Sequence, residues 1–79
     1  MSNGWSSKYY LMDIIEAQKW DINELAIEAG IKLDVLESFL DTSIESFIDE
    51  EMDRKLCKAT NQPIGYFLDI DKKYKEENK

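Results

Sequence analysis

An all-α domain is the fold class this sequence predicts, and three observations carry the prediction. Gly and Pro are scarce, with three and one in 79 residues, too few for long β meanders that turn at every hairpin. Apolar residues recur three and four apart, the period of a helix with one buried face. Polar cap residues punctuate those stripes where helices would start and stop. At 43% hydrophobic, with two Trp, four Tyr and three Phe, the chain has the material for one core. Its length fits a single small domain, near the lower end of what one core stabilises unaided.

Taken in order, residues 1–7 read as a flexible lead with Ser6 or Ser7 as the N-cap of a first helix. Trp5 is out of character for a free tail, and staples back onto that helix or faces a partner. The first helix is predicted over about Lys8 to Lys19, with Leu11, Ile14, Ile15 and Tyr10 on one stripe. Trp20 follows as a cap on the core. Asp21 is the expected N-cap of the second helix, and Glu24 completes a capping box. Leu25, Ala26 and Ala29 face inward, and Gly30 ends the helix where the backbone must turn left-handed. The third helix is predicted over Leu33 to Leu40, with Leu33, Leu36, Phe39 and Leu40 apolar, and Asp41-Thr42-Ser43 breaks it. Ile44, Phe47 and Ile48 then cover the core.

The fourth helix is predicted over Asp49 to Thr60. Its early acids and its later Arg54, Lys55 and Lys58 both suit the helix dipole. Met52, Leu56 and Ala59 face inward, with Cys57 beside them as a small core residue. After a turn at Asn61-Gln62, Pro63 suits the first position of a fifth helix holding Ile64, Phe67, Leu68 and Ile70. Residues 8–74 thus form the domain, and 75–79 a frayed charged tail.

Composition narrows the function. One cysteine forms no internal disulfide, and with no His and no Cys cluster the usual metal sites are excluded. No nucleophile stands beside a base and no Gly-rich loop cradles phosphate. We therefore expect no enzyme, no cofactor and no small-molecule substrate. A free thiol and the lack of a secretory h-region point to cytoplasmic localisation. No apolar run approaches the roughly 20 residues that span a bilayer, so no membrane partner is expected. The formal net charge of −7 disfavours nonspecific attraction to DNA or anionic lipid and favours a basic partner.

Several matches resemble one known family. Leu25-Ala26 resembles a Leu-Ala pair with Gly30-Ile31 at the expected distance. Phe39-Leu40-Asp41 resembles the Ile-Leu-Asn that closes a recognition helix. Pro63-Ile64-Gly65-Tyr66-Phe67-Leu68, followed by Tyr74, looks like the Glu-Phe-Trp-Leu … Tyr ending of HigA-type antitoxin domains. Together they resemble the lambda-repressor-like (Xre/Cro) helix-turn-helix family over about residues 8–74. The resemblance implies a compact five-helix bundle whose third helix reads DNA.

The family's contact positions depart from its pattern. Members place Thr/Ser-Gln at the start of helix two, where this chain has Asp21-Ile22. They open helix three with Ser-Arg-x-Thr, where this chain has Lys32, Leu33, Asp34 and Val35. Between Asp21 and Asp53 there are eleven acidic side chains and one basic one, Lys32. A carboxylate can accept from cytosine N4, a contact worth roughly 1–3 kcal/mol. Several like charges within a Debye length of about 8–10 Å oppose it.

The expected site is therefore a partner-binding face made of Lys32, Leu33, Asp34, Val35, Glu37, Ser38 and Asp41. Asp21, Asn23, Glu24 and Glu28 are secondary contacts. Acids three and four apart share one helix face and pair with Arg and Lys of a basic protein, with Leu33 and Val35 as apolar anchors. By type the chain looks like the small antirepressors and modulators of repression found in phage and mobile elements. It would bind a repressor DNA-binding domain to modulate or relieve repression. The alternative is an operator-DNA-binding Xre/HigA-type repressor or antitoxin, with Asn23, Lys32 and Ser38 as the remaining polar contacts. DNA is the partner that charge disfavours. Lys72, Lys73 and Lys75 read as a solvated basic end.

Overall fold

Local cap chemistry sets most of the helix ends. A computed structural model describes residues 5–77, and within them the chain forms five helices and no strand. They are α1 (Ser7–Gln18), α2 (Ile22–Ala29), α3 (Leu33–Leu40), α4 (Glu50–Thr60) and α5 (Tyr66–Glu77). At the head of α2 the capping box is present: Glu24 N donates to Asp21 Oδ1 at 2.8 Å, and Asp21 N to Glu24 Oε1 at 3.1 Å. Asp49 is the N-cap of α4 and accepts from Met52 N at 2.8 Å, so that helix begins at Glu50.

Three helices end on a left-handed residue: Lys19 after α1 (φ 58°), Gly30 after α2 (φ 70°) and Asn61 after α4 (φ 64°). In each case the next N–H reaches back five residues, from Trp20 to Ile15, Ile31 to Ala26 and Gln62 to Cys57. These bonds satisfy carbonyls that the last turn leaves open. They also stop α1 at Gln18, one residue short of its expected end.

The core is contiguous. Leu11, Leu25, Leu36, Leu56, Cys57 and Phe67 are fully buried, with Ala26, Ala29, Phe39 and Ile48 around them. Helix α2 packs on α3 and α4, α4 on α5, and α1 on α3 and α5. The radius of gyration, 12.0 Å, matches the roughly 12 Å expected of a folded chain of this length. No helix among the described residues is long and apolar enough to cross a membrane.

Four expectations need correction, and buried charged groups explain the first three. Ser6 and Ser7, expected in a flexible lead, are buried, and Ser7 opens α1. Ser6 occupies the N-cap but its side chain makes no cap bond. Asp71 of α5 does that work instead, accepting from Ser7 N at 2.7 Å and Ser7 Oγ at 2.8 Å. Pro63 and Ile64 precede α5 rather than opening it. Asp53 accepts from Gly65 N at 2.7 Å, Phe67 N at 3.0 Å and Leu68 N at 3.1 Å, which starts the helix at Tyr66 and leaves Ile64 exposed. Ile44 is exposed rather than covering the core, with its carbonyl held by buried Lys8 Nζ at 2.6 Å. Phe47 and Ile48 do pack inward, Ile48 buried and Phe47 half-buried against Tyr74 with 6.0 Å between ring centroids. Finally, α5 runs on to Glu77, and Lys75 lies over the Phe47 ring at 4.4 Å. Residues 1–4 and 78–79, the outer parts of the expected lead and tail, lie outside the described residues.

Candidate functional site

The inward stripe of α3 determines what its other face presents. Leu36 and Phe39 are buried and Leu40 is half-buried. Lys32, Leu33, Asp34, Val35, Glu37, Ser38 and Asp41, the seven residues expected to bind a partner, are all exposed. Asp34, Glu37, Ser38 and Asp41 fall at i, i+3, i+4 and i+7, which puts them on one side of the helix. Leu33 and Val35 retain 37% and 43% exposure, so both anchor candidates are accessible.

Two of these carboxylates also serve the local backbone. Asp34 Oδ1 accepts from Val35 N at 3.0 Å in the first turn of α3, where negative charge suits the dipole. Asp41 Oδ1 accepts from Ser43 Oγ at 2.7 Å and Ser43 N at 2.9 Å. These bonds, the hydroxyl first and the backbone second, hold the Asp41 carboxyl below its ordinary value of 3.8. The Asp41 carbonyl accepts from Lys8 Nζ at 2.7 Å, and Ser46 Oγ donates to the Phe39 carbonyl at 3.0 Å. The last turn of α3 is therefore pinned to α1 and to the segment that follows it.

Asp21, Asn23, Glu24 and Glu28 are exposed on α2. Asp21 and Glu24 are engaged with each other's backbone at its start, about 14 Å and about 9 Å by helix rise from the Gly30 turn. Glu28 stands at the end nearer α3. The structure thus puts Glu28 beside the turn into α3 and holds Asp21 and Glu24 at the far end of α2.

Three features of this surface were not read from the sequence. Ile27, on the same side of α2 as Asn23, is 74% exposed, the highest value among the exposed large apolar residues. A groove of about 290 Å³ runs between α3 and the start of α4, lined by Ile31, Lys32, Val35, Asp49, Glu51 and Met52. Lys55 crosses its edge, with Nζ 3.4 Å from the Gly30 carbonyl and 3.8 Å from Glu51 Oε2. The exposure of Ile27 follows from the buried α2 positions, Leu25, Ala26 and Ala29, and was available from the helical period. The groove depends on how α4 packs, which no local pattern reports.

Elsewhere, Trp5 packs edge-on to Tyr9 with centroids 5.2 Å apart and stays 61% exposed. With Tyr10, Met12 and Asp13 these two rings line a second cleft of about 530 Å³. Trp20 is half-buried against the core. Cys57 is fully buried, and that burial pushes its thiol up, which disfavours the reactive thiolate. Among the described residues no group of His, Cys, Asp or Glu has the arrangement of a metal site. Comparison with family models, curated proteins and solved structures finds no match.

Proposed function

We propose that this protein is a small helix-turn-helix regulator that acts by protein contact. In this reading the α2–Gly30–α3 unit is the helix-turn-helix, lambda-repressor-like in kind. The acidic side of α3 docks on a basic DNA-binding partner in the cytoplasm, such as a repressor, and so modulates or relieves repression. One observation carries the reading: the whole outward set from Lys32 to Asp41 is exposed, and its carboxylates line one side of a helix that also offers Leu33 and Val35. Acidic groups in that setting steer a basic partner and select it, while the apolar anchors supply affinity. The same charges oppose approach to a phosphate backbone.

The test starts from the partner recovered by affinity purification in the native host. Its complex should weaken steeply with salt. Asp34→Lys combined with Glu37→Lys should lower affinity at least about tenfold, since two pairs are lost and replaced by repulsion. Unchanged affinity in that double variant rules out this face. A gel shift at low salt against the protein's own promoter region addresses the operator-binding alternative. Tight, sequence-selective binding there, weakened by changes at Asn23, Lys32 or Ser38, overturns the proposal in favour of a DNA-binding repressor or antitoxin.

A further inference from the structure

We infer that the groove between α3 and the start of α4 seats one apolar side chain of a basic amphipathic helix, flanked by that helix's cations. This rests on the docking reading above and names the kind of segment that docks. The groove has an apolar part, Ile31, Val35 and Met52, of which Val35 is the most accessible. Its volume, about 290 Å³, lies just below the roughly 300–1,000 Å³ usual for small-molecule sites. An apolar side chain carried by a helix is a better match than a cofactor.

Charge selects the occupant. Asp49 and Glu51 border the groove from α4 and Asp34 is next in sequence to Val35 on α3, while Lys32 and Lys55 are the cations of its lining. Lys55 already shows what this edge attracts. Its ammonium leans toward the Gly30 carbonyl, at the negative end of α2, and toward Glu51. Both contacts are long and exposed, so the hold is weak. A partner's Arg takes the same two acceptors in a fork that Lys cannot make. Lys55 is therefore an internal competitor for the partner's cation, and its removal should strengthen binding.

The experiment uses the full chain and two synthetic alanine-based helical peptides. Each carries four arginines on one side; one has a central leucine and the other an alanine there. Affinity is read by fluorescence anisotropy at low salt, and the contact by amide shifts in NMR. The leucine peptide should bind about tenfold more tightly, with shifts centred on Ile31, Val35 and Met52. Val35→Ser should abolish that advantage while leaving the alanine peptide unaffected. Lys55→Ala should raise affinity for the leucine peptide several-fold beyond Lys58→Ala, which changes net charge equally outside the groove.

Equal binding of the two peptides overturns the inference and leaves the acidic docking face standing. Failure of both peptides to bind defeats that face as well. Equal effects of Lys55→Ala and Lys58→Ala also overturn the inference, because the competitor argument then fails. So does a dimer that forms without peptide and is dispersed by Val35→Ser, since a second copy would then fill the groove.

Discussion

Asp53→Ala is the substitution that most directly tests how this small core is held together. The carboxylate is fully buried at the junction of α4 and α5. It accepts from three backbone N–H groups, those of Gly65, Phe67 and Leu68, and takes a weak contact from Cys57 Sγ at 3.4 Å. Alanine leaves all three N–H groups without that partner. Phe67 is fully buried, so its N–H finds no water, and an orphaned buried donor costs about 1–3 kcal/mol. Gly65 and Leu68 are half-buried, and each lost bond there costs the net value of about 0.5–1.5 kcal/mol. Releasing a buried charge returns part of this. The balance is about 3–4 kcal/mol, against a total stability of about 4–12 kcal/mol for a domain of this size.

The comparison is Asp21→Ala, which removes an exposed cap and should cost about 1 kcal/mol. Urea unfolding at neutral pH, followed by circular dichroism and Trp fluorescence, separates the two. With m near 1 kcal/mol/M for so small a domain, the midpoint should fall by about 3 M for Asp53→Ala and about 1 M for Asp21→Ala. If the two midpoints shift equally, with unchanged m, the backbone bonds to Asp53 do not stabilise the fold as argued.

Two further outcomes follow from the same geometry. Ser43→Ala removes the hydroxyl that contributes most to holding the Asp41 carboxyl low, so its titration, read by carboxyl carbon NMR, should move up toward 3.8. The sign follows from a depressed folded value: the stability contributed is present above pH 3.8 and is lost as pH falls below it. The stability gap between parent and variant should therefore close in acid, and an unmoved Asp41 titration would refute the assignment. Cys57, buried with its thiol pushed up, should resist aromatic disulfide reagents in the native state and react fully in urea. Prompt reaction in buffer would contradict the packing.

The helices were legible because their signals are local. The capping box of Asp21 and Glu24 spans three residues, the left-handed stop at Gly30 needs one, and the α3 stripe of Leu36 and Phe39 repeats within a turn. The same stripe made the exposure of Lys32 to Asp41 readable. What escaped were buried charged groups with distant partners: Asp71 with Ser7, 64 positions apart, and Lys8 with the carbonyls of Asp41 and Ile44, 33 and 36 apart. A lone Asp or Lys in a sequence reads as surface, and only the packed chain reveals which one meets unpaired backbone groups. Asp53 was hidden for a related reason. It sits in an acidic run that suits the start of α4, yet the backbone N–H groups its side chain holds all lie at the start of α5.

That division bears on function, because the acidity between Asp21 and Asp53 is not of one kind. Asp21, Glu24, Asp41, Asp49 and Asp53 are committed to backbone groups or to Ser43. Their presence is explained by folding whether or not a partner exists. Glu28 and Glu37 are exposed and make no hydrogen bond or ion pair among the described residues. Asp34 lies between the two groups, exposed yet helping the first turn of α3. The case for docking rests on Glu37, Glu28 and Asp34, and not on the whole acidic count. Asp34→Lys also removes a favourable dipole contact of about 0.3–1 kcal/mol, whereas Glu37→Lys should leave stability within about 0.5 kcal/mol. Glu37→Lys alone is thus the cleaner probe: a loss of binding there, with an unchanged unfolding midpoint, reports on the face and not on the fold.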